Sequence, residues 1–301
     1  GSFGVGDSIE LRLEPAPVAL NGTNMDCAYL LTNVEAAFGY DGTIASGGTN
    51  TFTWAGKVTM TDNLNIDDCN IIMQNVFAVA SDATNSPTLT ISSGGSLTLQ
   101  STSTDTGTLK AFSSNYPLDL DMDGGALILD GGQIRDVAGG INLDSGSLTA
   151  YNSAIIYGSA NAPSTVATLY VNGGTLDWDD SMIMNSGQTG IGLMFEEAGG
   201  AVDNIVVKNA AVGIYSYNAA PTINGFTLND NEVGVDVYGG MTLPTIYRST
   251  LLSGQSTGWS TYAIDMSPYL AGGDDYLQVG FNSVYGGGNA HPRYNYATSK
   301  Y

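Results

Sequence analysis

The sequence predicts an all-β fold in which short parallel strands stack coil on coil, and three observations predict it. A short alternating strand, a small-residue corner and a second alternating strand recur as PTLTISSGGSLTLQ from Pro87, PLDLDMDGGALILD from Pro117, GGINLDSGSLTAY from Gly139 and ATLYVNGGTLDWD from Ala167. Each strand carries apolar residues at every second position, so one side is buried and the other wet, and none is long enough to fold alone. Glycine makes up 40 of 301 residues and charged residues only 12%, against 43% hydrophobic. That balance fits neither a disordered chain nor a helical one.

The chain divides by regularity. Residues 1–50 read as an N-terminal strand and cap region, 51–267 as the coiled body, and 268–301 as a Tyr/Gly-rich C-terminal cap or interaction tail. SIELRLEP from Ser8 is an alternating strand ahead of the repeats, and terminal units of a stack are commonly atypical because they must cover its open end. The first rung is TFTWAGKVTMTDNLNI from Thr51, with Phe52, Trp54, Val58 and Met60 inward. The corner glycines of the four core rungs are Gly95, Gly125, Gly146 and Gly174; their uneven spacing means that corners are kept while loops vary. Leu118, Ile141 and Leu169 are expected to occupy like positions in the bore. Uneven spacing disfavours a β-propeller, and a β-sandwich is the other runner-up.

The clearest repeat lies between Val202 and Gly240. Setting Ile205-Val206-Val207-Lys208-Asn209 against Phe226-Thr227-Leu228-Asn229-Asp230 brings Val212-Gly213-Ile214 against Val233-Gly234-Val235. IVVKNAAVGIYSYN followed by FTLNDNEVGVDVYG resembles the repeat of pectin-lyase-like proteins, where an Asn-containing turn precedes a Gly-Ile or Gly-Val strand. The resemblance spans roughly Thr51 to Ser267. It implies a right-handed single-stranded parallel β-helix with irregular terminal caps, inward Asn or Ser ladders at the turns, and an extracellular or cell-surface setting. Such folds carry lyases, hydrolases, adhesins and surface proteins alike, so the resemblance does not choose among them.

Charge excludes some functions. With 29 acids against 8 bases the formal charge is −21, and a nucleic-acid partner is disfavoured because a polyphosphate needs a basic stripe. No apolar run is long enough to span a bilayer. Cys27 and Cys69 either pair or remain two buried thiols; a disulfide would stabilise the N-terminal end by about 4 kcal/mol in the chain-entropy view.

Two acid groups are candidate sites. Asp119-Leu120-Asp121-Met122-Asp123-Gly124 followed by Asp130 has the spacing of a calcium loop. As a strand, however, it spreads its carboxylates about 7 Å apart along one side. Calcium, the one candidate cofactor, would then sit between coils, with Asp119 or Asp121 over Asn142 or Asp144, so Asp119, Asp121, Asp123 and Asp144 are the candidate ligands. Asp177, Asp179 and Asp180 flank Trp178, and in glycosidases of this fold paired aspartates serve as acid and base beside an aromatic platform. A lyase would add a proton-abstracting base from Arg135 or Lys208. His291 is the single histidine and lies in the tail, which disfavours a Ser/His/Asp triad.

The expectation is a non-catalytic extracellular structural or adhesive protein, a subunit of a filament or surface assembly. Self-association would run through terminal strands and the Tyr-rich C-terminus, with glycans as a further partner. The alternative is a carbohydrate-active enzyme using Asp177, Asp179, Arg135 and Lys208.

Overall fold

The computed structural model describes side chains, with short gaps, between residues 70 and 244, and strand backbone alone for further segments between Val18 and Arg293. The chain is a parallel β-solenoid. Its strands form ladders on three faces, and each coil visits them in the same order.

Face A contains Thr88–Ser92, Leu118–Asp123, the end of Gln133–Leu143, Ala167–Val171, Ile191–Glu196, Val212–Tyr217 and Val233–Tyr238. Face B contains Asn70–Met73, Ser96–Gln100, Ala126–Asp130, Ser147–Tyr151 and Thr175–Trp178. It continues through Ala201–Asp203, Thr222–Asn224 and Thr245–Tyr247. Face C contains Val76–Val79, Thr108–Ala111, the start of Gln133–Leu143, Ile155–Gly158, Met182–Met184, Val206–Lys208 and Thr227–Asn229. The 11-residue strand Gln133–Leu143 turns from face C to face A without a loop, with a register shift between Ile134 and Val137.

Inward positions stack into columns because alternation fixes parity and stacking fixes register. On face A, Leu89, Leu120, Ile141, Leu169, Leu193, Ile214 and Val235 follow one another rung by rung, all fully buried. The bore residue below Ile141 is therefore Leu120, where the sequence expectation was Leu118. A register irregularity after Leu118 sets that residue against Val137. Two residues of slip keep the same parity, so alternation alone does not choose between them.

Corners follow the expected glycines. Ala126 N donates to Gly95 O, Ser147 N to Gly125 O and Thr175 N to Gly146 O, each one coil below. Gly146 needs its freedom most: its φ is +83°, and a Cβ there would lie 2.1 Å from Gly125 O. The repeat read between residues 205 and 235 is realised as Val206 on Thr227, Val207 on Leu228, Lys208 on Asn229 and Ile214 on Val235.

Where the chain passes from face C to face A, Asn231 is fully buried, accepting from Ala210 N at 2.9 Å and donating to Val207 O at 3.1 Å. Asn185 occupies the same turn two coils earlier, accepting from Thr168 Oγ1 at 2.9 Å and donating to Thr189 O at 2.8 Å. Buried turns need such side chains because their backbone groups have left the ladder.

Strand backbone outside 51–267 joins the same ladders, Val18–Leu20 on Val58–Met60 and Pro292–Arg293 on Ile264–Asp265. Asp41–Ile44 runs antiparallel to Asn50–Trp54, the one antiparallel strand pair among the described residues. Cys27, Cys69 and His291 lie outside the described residues. No described helix is long and apolar enough to cross a membrane.

Candidate functional site

Five aspartates of the outer surface share one arrangement. Asn142 Nδ2 donates to Asp121 Oδ1 at 2.8 Å, Asn152 to Asp130 at 2.7 Å, Asn172 to Asp144 at 3.4 Å, Asn204 to Asp179 at 3.0 Å and Asn224 to Asp203 at 2.7 Å. In each pair the aspartate lies on one coil and the asparagine on the next. Two carboxylates about 4.8 Å apart on neighbouring rungs would repel, whereas an amide on the neighbouring rung gives a charge-assisted hydrogen bond instead.

Asp119, Asp121 and Asp123 extend along one strand of face A, as their alternation requires. Asp121 meets Asn142; Asp144 is held by Asn172. Asp119 is half-buried, and burial pushes its carboxyl above the usual value, with the Asp121 charge adding to the effect. Among the described residues, no three His, Cys, Asp or Glu side chains converge as metal ligands.

Asp177 and Asp179 lie exposed on face B and at its end, and Asp179 is occupied by Asn204. Arg135 and Lys208 lie on face C, with Tyr157 and Met184 on the rungs between them, so roughly 14 Å separates them at about 4.8 Å per rung. Arg135 donates to Gln133 Oε1 at 2.8 and 3.1 Å and lies 4.7 Å over the Tyr157 ring. The structure does not bring these four residues to one point. Trp178 is no platform either: it is 1% exposed. It shares inward parity with Leu176 and stacks on the small Ala150, whose size leaves room for the indole.

A concave and chemically varied surface lies on face A and was missed in the sequence. A depression of about 260 Å³ is lined by Asn142, Thr165, Val166, Ala167, Tyr170, Met194 and Glu196. Tyr170 Oη donates to Glu196 Oε2. Next along the coils Tyr215 follows Met194, and Tyr217 stacks on Tyr238 with centroids 5.5 Å apart and planes at 16°. Tyr238 is the most solvent-open large apolar side chain described, at 42%.

Burial holds the Tyr170 phenol up to about 12, helped by its bond to Glu196 and the charges of Glu196, Asp144 and Glu197. Tyr215 rises to about 12 as well, through burial first and then Asp236, with Tyr238, Tyr217 and Glu196 adding. Both phenols are neutral donors across the physiological range. The arrangement offers aromatic faces, a thioether and carboxylates, which suits contact better than proton transfer. The aligned repeats did carry the signal, since Ile214-Tyr215-Ser216-Tyr217 over Val235-Asp236-Val237-Tyr238 places Tyr217 on Tyr238 at outward parity.

No family model matches the chain, and no curated protein or solved structure was found similar to it.

Proposed function

We propose that this chain is a non-catalytic extracellular structural or adhesive β-solenoid that self-associates into a filament or surface assembly. One observation carries the reading: five outward aspartates are each engaged by an asparagine of the next coil. Carboxylates used in this way serve stacking and solubility, and a general acid or base needs a carboxyl aimed at substrate instead. The resemblance to pectin-lyase-like repeats supports a right-handed coil and a surface location. Terminal strands offer sheet edges for strand addition, and the Tyr-rich tail offers amphipathic contact area.

Electron microscopy tests this directly. Filaments or lattices support it; isolated rods at every concentration overturn it. A carbohydrate-active enzyme is the second reading, favoured by the Tyr170 and Glu196 depression on face A. Incubation with neutral and acidic glycans decides it: unsaturated or newly reducing ends establish an enzyme, and binding without product supports an adhesin.

A further inference from the structure

The three basic side chains that the structure describes share one face. Lys110 stands beside Arg135 on adjoining rungs, and Lys208 continues the same outward line beyond Tyr157 and Met184. Among the described side chains, none on the strands of face C is acidic, though Asp136 follows Arg135 in its strand, whereas face A carries Asp119, Asp121, Asp123, Glu196 and Asp236 and no base, though the strand backbone of Arg293 joins its ladder. A chain of net charge −21 has thus collected its described cations on one side. The strands carrying Lys110 and Arg135 lie about 4.8 Å apart on adjacent rungs, so two like charges stand on neighbouring rungs, an arrangement that an opposing acid favours.

The neutral outward positions of face C are also unusual for a wetted sheet. Ile155, Met182, Met184 and Val206 point outward and stay partly exposed, where an outer sheet surface facing water ordinarily alternates to polar residues. Face A answers them with Met194, Tyr215, Tyr217 and Tyr238 between its acids.

We propose that face C of one copy packs side by side on face A of a second copy, Lys110, Arg135 and Lys208 meeting the carboxylates around the tyrosines. Both surfaces repeat with the same rung spacing, so the contact stays in register along the coils. It is heterologous, each copy keeping one free face C and one free face A, and so propagates into a ribbon or sheet instead of closing as a dimer. This rests on the self-association reading and gives it surfaces distinct from the terminal strands. Strands of three to six residues make a narrow contact, so single pairings are weak and growth is cooperative with concentration.

The test is sedimentation velocity of the full chain across a concentration series at about 0.15 M salt, where screening over about 8 Å leaves contact pairs as the dominant charge effect. Wild type is expected to form large species. Arg135→Glu with Lys208→Glu is expected to abolish them, as is Asp123→Lys with Glu197→Lys on the exposed edge of face A. Mixing the two doubly substituted proteins makes both contacts between unlike copies complementary, the charge-reversed one and the original one, and is expected to restore large species in which the two proteins alternate, a result that misfolding cannot give; a mixture that stays monomeric overturns the interface. Large species that survive both charge reversals overturn this interface while leaving self-assembly standing. A wild type that stays monomeric throughout overturns both.

Discussion

Asn142 reaches across one coil to Asp121, its amide nitrogen 2.8 Å from the carboxylate oxygen. The contact ties neighbouring coils together at a position where, with an acid on both rungs, they would push apart. Asn142→Asp should therefore lower stability at pH 7 by about 2 kcal/mol, the scale of a hydrogen bond to a charged group lost and replaced by a like-charge contact. The new pair raises the folded-state pKa of its members, so the penalty is present at neutral pH and fades as acid protonates one of them. Urea unfolding at pH 7 and near pH 4 checks this; equal losses at both would contradict the rung mechanism.

Asp119 gives the opposite sign. Its folded pKa is raised, by burial and then by Asp121, so its contribution favours folding below the unfolded value near 3.8 and is lost as pH rises through the folded value. At neutral pH the charge is a liability, and Asp119→Asn should raise the melting temperature. The gain should shrink as pH falls toward 3.8. The same assay addresses calcium at Asp119, Asp121, Asp123 and Asp144: a rise in melting temperature on adding the ion, absent in Asp119→Asn, would establish the site.

Much of this architecture is readable from the residues because a stacked coil repeats its constraints. Val207 on Leu228 and Ile214 on Val235 follow from aligning two stretches of sequence, since both have minimal loops and little room to slip. Leu118 misleads because the coil around it contains a register irregularity that parity cannot reveal. The asparagine partners are harder still: their separations from aspartate range from 21 to 28 residues, set by loop length and not by any local pattern. Trp178 was readable. It shares parity with Leu176 and was bound to face the bore, yet its proximity in sequence to Asp177 and Asp179 suggests a surface platform.

Glycines separate into those the coil requires and those it tolerates. At Gly146 a side chain meets both a positive φ and the backbone oxygen of Gly125, at 2.1 Å. Gly146→Ala should cost about 3 kcal/mol or more, since left-handed strain and a backbone clash act together. At Gly200 an added Cβ would find only Phe195 Cε1 at 3.5 Å, ordinary contact, with no positive φ. Gly200→Ala should be neutral or stabilise by about 0.4–1 kcal/mol by restricting the unfolded chain. Denaturant midpoints of the pair give the comparison, and a Gly146→Ala protein as stable as wild type would mean that the corner is not built as described.

Face A should impose an alkaline limit on the fold. Tyr215 ionises at about 12 in the folded chain against 10 when unfolded, because burial and the neighbouring Asp236 both oppose a phenolate. A raised folded pKa means that the associated stability is complete below pH 10, declines above it and is gone once pH passes about 12. Tyr170 behaves alike, with its bond to Glu196 as a further cause. Tyr215→Phe keeps the ring and removes the ionising group, so it should lose less stability than wild type between pH 10 and 12 while matching it near pH 7. A near-ultraviolet titration supplies the second readout: the late phenolate fraction seen in folded wild type should shrink in Tyr215→Phe, and an unchanged late fraction would show that Tyr215 is not the buried phenol of this face.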